Sequence, residues 1–106
     1  MELTQLRYFL KVAELQHITR AAEELYISQP AVSRSIKQLE LQLGVPLFTR
    51  THRGMKLSAQ GGKLIFAEVE RALNLLSDAE NKLSEVTNTA TGTLRIGASD
   101  TIFEYF

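Results

Sequence analysis

Between Ile18 and Glu40 the chain reads ITRAAEELYISQPAVSRSIKQLE, two helical patterns separated only by Tyr26-Ile27. Nothing else in the sequence constrains the fold as strongly, because so short a corner forces the two helices to brace one another. The first pattern, Ile18 to Leu25, sets Ala21, Ala22 and Leu25 on one side, and its alanines allow a neighbouring helix to approach closely. The second begins at Ser28, whose hydroxyl can cap a helix N-terminus, with Pro30 in the first turn where a missing N–H costs little. It runs to about Leu43 and stops at Gly44, with Pro46 reinforcing the stop. Val32, Ile36, Leu39 and Leu43 form an apolar stripe suited to a core. Pro30, Ser33, Arg34 and Lys37 recur at i, i+3, i+4 and i+7 on a different, polar face.

A helix that begins with small and polar residues is free to enter a groove. In a helix-turn-helix the start of the second helix meets base edges in the major groove. Small side chains at Ser28, Ala31 and Ser33 permit close approach. Gln29 can bond an adenine edge in two places, Arg34 a guanine edge, and Lys37 is better placed for phosphate. The plainer alternative is a solvated face on an all-helical core.

The flanking segments extend this reading. Leu3 to Leu15 forms an amphipathic helix, with Leu6, Phe9, Leu10 and Ala13 on one face and Arg7, Lys11 and Glu14 opposite. PLFTRTHRGMKLS reads as two short strands, Leu47-Phe48 and Met55-Lys56-Leu57, around a turn at Arg53-Gly54 where glycine can take positive φ. A hairpin directly after the second helix of the pair is a wing. Arg50, His52, Arg53 and Lys56 gather on it, a composition that suits phosphate or minor-groove contact and also an ordinary solvated loop.

The net charge of zero conceals an asymmetry. Residues 1–58 carry eight Lys/Arg against five Asp/Glu, and residues 59–106 carry four against seven. Within Tyr26–Ser58 there are five basic residues and one acidic residue. A local excess is what phosphate contact requires, because counterion release depends on the charges that touch the backbone; charge scatter alone could also produce it.

Beyond the hairpin, Ala59 to about Asn88 is a long helical pattern whose Gly61-Gly62 weaken only the first turn. Ile65, Val69, Ala72, Leu76, Ala79, Leu83 and Val86 alternate by four and three, a heptad seam. Such a helix reaches ~45 Å, too long for the small core before it, so pairing with a second copy is expected over packing on its own domain. GTLRIGASDTIFEYF then opens a strand at Thr93–Ile96, breaks at Gly97, and leaves Ile102, Phe103 and Phe106 without a core. It reads as the start of a further domain, which makes the chain a truncated fragment.

With 44% hydrophobic residues among 106, a folded, soluble chain is expected. The absence of cysteine excludes disulfides, thiolate zinc sites and cysteine nucleophiles. No segment approaches the roughly 20 apolar residues that cross a bilayer, so a cytoplasmic protein without a membrane partner is expected. His17 and His52 are the only histidines and flank the second helix of the pair. With no Gly-rich phosphate loop, metal-ligand spacing or acid–base pair, neither catalytic nor metal residues are assigned. A protein-binding module remains a rival, although such a face would more often carry apolar anchors than the polar, basic residues found here.

Residues 1–58 resemble the winged helix-turn-helix of the LysR-type transcriptional regulators of bacteria. The likeness is carried by LRYFLKVAE and by AAEELYISQPAVSRSIKQLE followed by LGVPLFTR. At Gln16-His17 the chain departs from the family, which often has a small residue and serine before the second helix. The resemblance implies an all-α fold with a small β wing, a winged helix-turn-helix followed by a long dimerising linker helix. It divides the chain into a DNA-binding domain at 1–58 (helix-turn-helix about 18–37, wing about 47–58), a linker helix at 59–89, and a hinge with the start of an effector-binding domain at 90–106. It further implies that Gln29, Pro30, Ser33 and Arg34 face bases, while Thr19, Ser28, Lys37, Arg50 and Arg53 lie near the DNA backbone. The heptad residues would dimerise, and Ser99 and Thr101 would be weak effector contacts. The implied partners are double-stranded DNA at an interrupted palindrome, a second copy, a tetramer at full length, and RNA polymerase. No cofactor is expected within these residues; a small-molecule effector is expected for the full-length protein.

Overall fold

A computed structural model describes residues 1–90, with side chains described through residue 86. Along the chain run α1 (Leu3–Leu15), α2 (Ile18–Leu25), α3 (Gln29–Leu43), β1 (Phe48–Thr51), β2 (Gly54–Leu57) and α4 (Gly62–Ala90). The chain divides into one unit of Met1–Glu70 and a second that begins at Arg71. The first is a winged helix-turn-helix, as the sequence predicts. Of the second unit, the residues described are those of α4 from Arg71 onward.

Each helix begins and ends for a local reason. The Glu2 N–H donates to Gln5 Oε1 at 3.0 Å, closing the first turn of α1. His17 caps α2, its Nδ1 accepting from the Arg20 N–H at 3.2 Å, so an imidazole does what a serine does in the expected family pattern. Ser28 caps α3 through an Ala31 N–H···Oγ bond of 3.2 Å, and Pro30 sits in the first turn. Two corners turn through left-handed residues that are not glycine: Gln16 (φ 56°) after α1 and Tyr26 (φ 59°) after α2. The sequence announces neither.

The core lies among the first three helices and the base of the wing. α3 contributes Val32, Ile36 and Leu39, as its stripe predicts, while Leu43 is half-buried. α2 contributes Ile18, Ala21 and Ala22. On α1 the buried set is Gln5, Leu6, Phe9 and Val12, so the inward face is turned from the expected one and leaves Leu10 and Ala13 half-buried. Phe9 explains the turn: its ring stands 5.5 Å from Phe48 and 6.4 Å from Phe66, joining α1 to β1 and to the first turns of α4.

The strands pair antiparallel in the register Phe48↔Leu57, Thr49↔Lys56, Arg50↔Met55, Thr51↔Gly54. Leu47, expected in the first strand, precedes it and is fully buried. The entry to α4 differs more from expectation. The helix begins at Gly62 and not Ala59, because Ser58 organises the turn before it. The Ser58 hydroxyl is buried, donates to the Pro46 carbonyl at 2.6 Å, and accepts from Gly61 and Gly62 N–H at 3.2 and 3.0 Å. The two glycines are therefore packing residues. A Cβ on Gly62 would collide with the Leu47 carbonyl oxygen, and one on Gly61 would press on Val45 and Pro46.

Candidate nucleic-acid interface

The start of α3 leaves Gln29, Pro30, Arg34 and Lys37 exposed, with Ser33 half-buried between them. Val32, Ile36 and Leu39 anchor the opposite side of the same helix in the core, so the polar face is held outward by buried area. Among the described residues, no carboxylate lies within ion-pairing reach of Arg34, Lys37, Arg50 or Arg53. Lys11, by contrast, engages Glu24 at 3.4 Å and Glu14 at 3.9 Å. Glu14 and Glu24 are thus engaged on Lys11, away from the α3 cations and the wing, which stand without a carboxylate partner among the described residues.

The wing presents Arg50, His52, Arg53 and Lys56 to solvent. Its orientation is set from a distant part of the chain. The Met55 N–H donates to the Gln16 carbonyl at 2.9 Å, and Gly54 (φ 139°) lies against that same carbonyl, where any Cβ would collide. The left-handed turn at Gln16 aims this oxygen at the hairpin. At the other end Glu40 Oε2 accepts from the backbone N–H of Leu47 at 2.6 Å and of Phe48 at 3.3 Å. The lone acidic residue within Tyr26–Ser58 is therefore a structural acceptor that ties α3 to β1.

The result is a concavity of ≈ 270 Å³ whose lining includes His17, Thr19, Gln29, Arg50, His52 and Arg53. It brings the first turns of α2 and α3 together with the wing. Thr19 and Gln29 touch within it, the threonine hydroxyl donating to Gln29 Oε1 at 3.1 Å. Arg34 and Lys37 stand further along α3, outside this concavity, and Lys37 borders a shallow depression with Leu41 and Pro46. Ser28 Oγ accepts the cap bond, which leaves its O–H as a donor. Sequence reasoning missed Gln16, Glu40 and Ser58, which position the wing without facing the partner. Only Glu40 carried a signal, as the single acid in a basic stretch.

Along α4 the expected seam divides. Val69 is 7% exposed and already covered within the first unit, and Ile65, Leu76 and Leu83 are half-buried. Ala72, Ala79 and Val86 are exposed. The largest exposed apolar side chains of the helix are Leu64 (71%), Leu75 (64%) and Val86 (63%), of which Val86 belongs to the seam itself. Ser99, Thr101 and the strand expected at Thr93–Ile96 lie outside the described residues.

Comparison with known proteins agrees with this geometry. The family profile of bacterial regulatory helix-turn-helix proteins of the lysR family matches residues 3–62. A regulator named BudR from Klebsiella aerogenes is 42% identical over 97 residues, covering 92% of this chain and 67% of that protein. A probable RuBisCO transcriptional regulator from Cyanidioschyzon merolae is 43% identical over 103 residues, covering 97% of this chain. The chain spans 34% of that protein's length and the same share of the regulator BsdA of Bacillus subtilis. Among solved structures, the DNA-binding domain of CbnR in complex with DNA superposes with a TM-score of 0.72 at 37% identity, covering 82% of this chain and 99% of that one. The BenM domain bound to catB site 1 DNA gives 0.70 at 38% identity, covering 87% and 99%.

Proposed function

Because this chain belongs to the lysR family of bacterial helix-turn-helix regulators and carries that family's DNA-binding domain, we propose that the protein acts as a homodimer on an interrupted palindrome. One observation carries the proposal: Gln29, at the start of the exposed polar face of α3, lines one concavity with the basic wing, and no carboxylate among the described residues pairs with Arg34, Lys37, Arg50 or Arg53. In this arrangement Gln29, Pro30, Ser33 and Arg34 face base edges. Thr19, Ser28, Lys37, Arg50 and Arg53 follow the phosphates. The CbnR and BenM domains, solved on DNA, support that docking.

The second copy joins along α4. Val69 belongs to the core of its own domain, so the contact runs through Ile65, Ala72, Leu76, Ala79, Leu83 and Val86, extended by the exposed Leu64 and Leu75. Two reading helices then meet half-sites one helical turn, or a multiple of it, apart. The whole protein works in the cytoplasm, takes a small-molecule effector on a further domain, forms tetramers through it, and acts on transcription by RNA polymerase. Among the described residues no helix is long and apolar enough to cross a membrane.

The test is titration of the protein with a duplex selected from a random library, against a scrambled duplex, across a salt series. Arg34→Ala is expected to cost about 1–3 kcal/mol and to relax preference at one base pair. Arg53→Ala weakens all duplexes evenly and flattens the salt dependence by about one counterion. Equal losses on selected and scrambled DNA for Arg34→Ala would remove its base-reading role. A folded protein that selects no duplex at all would overturn the proposal.

A further inference from the structure

The reading above places Thr19 at the DNA backbone, yet its hydroxyl is already engaged. Thr19 Oγ1 donates to Gln29 Oε1 at 3.1 Å, across the corner between the first turn of α2 and the first residue of α3. Both side chains are exposed, and both line the concavity that the wing borders with Arg50 and Arg53. The bond thus lies on the side of the domain assigned to DNA, and it joins a residue assigned to the backbone to one assigned to a base.

The chemistry of an amide gives this contact a consequence. A glutamine carries an acceptor at one end and two N–H donors at the other, and an unrestrained side chain exchanges them by rotation about its last bond. The two orientations read different edges: N–H donors turned to the groove match the guanine O6 and N7, whereas a carbonyl turned there accepts from an adenine N6 or cytosine N4 amino group. A hydroxyl that donates to Oε1 favours one orientation. It turns the carbonyl end toward α2 and leaves the N–H end for the groove, while one carbonyl lone pair stays unused. Ser28 and Pro30, on either side, hold the backbone of Gln29 at the helix start, so both ends of the Thr19–Gln29 contact start from fixed backbone.

We propose that Thr19 is a positioning residue for base recognition, whose hydroxyl fixes the amide orientation of Gln29 and so narrows the base preference at the pair Gln29 reads. The proposal rests on the base-reading role of Gln29. Specificity at that pair is then set by a residue on α2 that need not touch the base.

The experiment is selection from a randomised duplex library, followed by titration of the four variants of the pair that Gln29→Ala identifies. Thr19→Val, close to isosteric, is expected to flatten the ratio between the best and the other bases at that pair about fivefold, the worth of one ordinary hydrogen bond, and to leave the ratios at the pair read by Arg34 unchanged. Thr19→Ser retains the hydroxyl and retains the preference. Combining Thr19→Val with Gln29→Ala adds nothing to Gln29→Ala alone at that pair. Loss of affinity by Thr19→Val on every duplex with all ratios intact would overturn the proposal, since it would show a backbone contact only. An equal loss of preference in Thr19→Ser would overturn it too. If Gln29→Ala changes no base ratio, the base-reading assignment itself fails and the positioning role falls with it.

Discussion

The start of α3 and the wing line one concavity, but different forces hold them there. α3 is anchored by area: Val32, Ile36 and Leu39 are buried along one stripe, and the outward face follows from the helical period. The wing has two four-residue strands and little apolar surface of its own, since only Phe48 within them is buried. It is anchored by single atoms: the Gln16 carbonyl at its tip, the Glu40 carboxylate at its entry and the Ser58 hydroxyl at its exit. Buried area is forgiving of detail and costly to lose. Point contacts cost less to lose, yet each one fixes an orientation that nothing else restores.

Substitutions that separate the two kinds of anchor test this contrast. The largest effect is expected for Leu39→Ala, at the centre of the α3 stripe and fully buried, which should lower unfolding free energy by about 2–5 kcal/mol in a urea titration. A smaller loss would mean that the core collapses around the cavity and that area holds α3 less firmly than its buried stripe implies.

Gly54→Ala comes next. Its φ of 139° and the Gln16 carbonyl against it leave no room for a methyl group, so the hairpin must lift from the α1–α2 corner. A loss of about 1–3 kcal/mol is expected in the same titration. DNA affinity should fall on all sequences while base preference holds, because the wing moves and α3 does not. A change in preference would show the two regions to be coupled.

Glu40→Ala leaves the Leu47 and Phe48 amides without their acceptor, at a cost of about 1–3 kcal/mol. Glu40→Gln keeps an acceptor oxygen and should recover most of that stability. Amide hydrogen exchange at Leu47 and Phe48 would report the contact directly. The smallest effect belongs to Tyr26, left-handed at φ 59° and 94% exposed. Tyr26→Gly relieves the backbone without removing a packed side chain, and should raise stability by no more than about 1 kcal/mol. A clear destabilisation would assign the exposed ring a contact within the fold.

The same contrast explains which features were legible beforehand. The Ser28 cap, the α3 stripe and its polar second face depend on residues three or four apart, and they stand where spacing places them. The wing was visible as a turn between basic strands, yet its docking was not, because Gln16 and Met55 are distant in sequence and the bond uses backbone atoms that no side-chain pattern reveals. Gly61-Gly62 looked like a weakness in a helix and proved to be the space that Leu47 and Val45 require. Val69 matched a heptad seam and was already buried within its own domain, since a period tells which residues share a face but not what covers it.

From the sequence alone came the helices of the first unit, the Ser28 cap and the Gly44 stop of α3, the exposed Gln29, Pro30 and Arg34 with Ser33 half-buried between them, and the basic excess across α3 and the wing. These follow from local geometry and from charges counted along a short stretch. Tertiary structure alone decided the aim of the wing, the left-handed corners at Gln16 and Tyr26, the turn of α1 about Phe9, and the bond between Thr19 and Gln29. Each of these depends on where helices and strands meet, and a meeting point is set by the packing of the whole core, not by the period of any one segment.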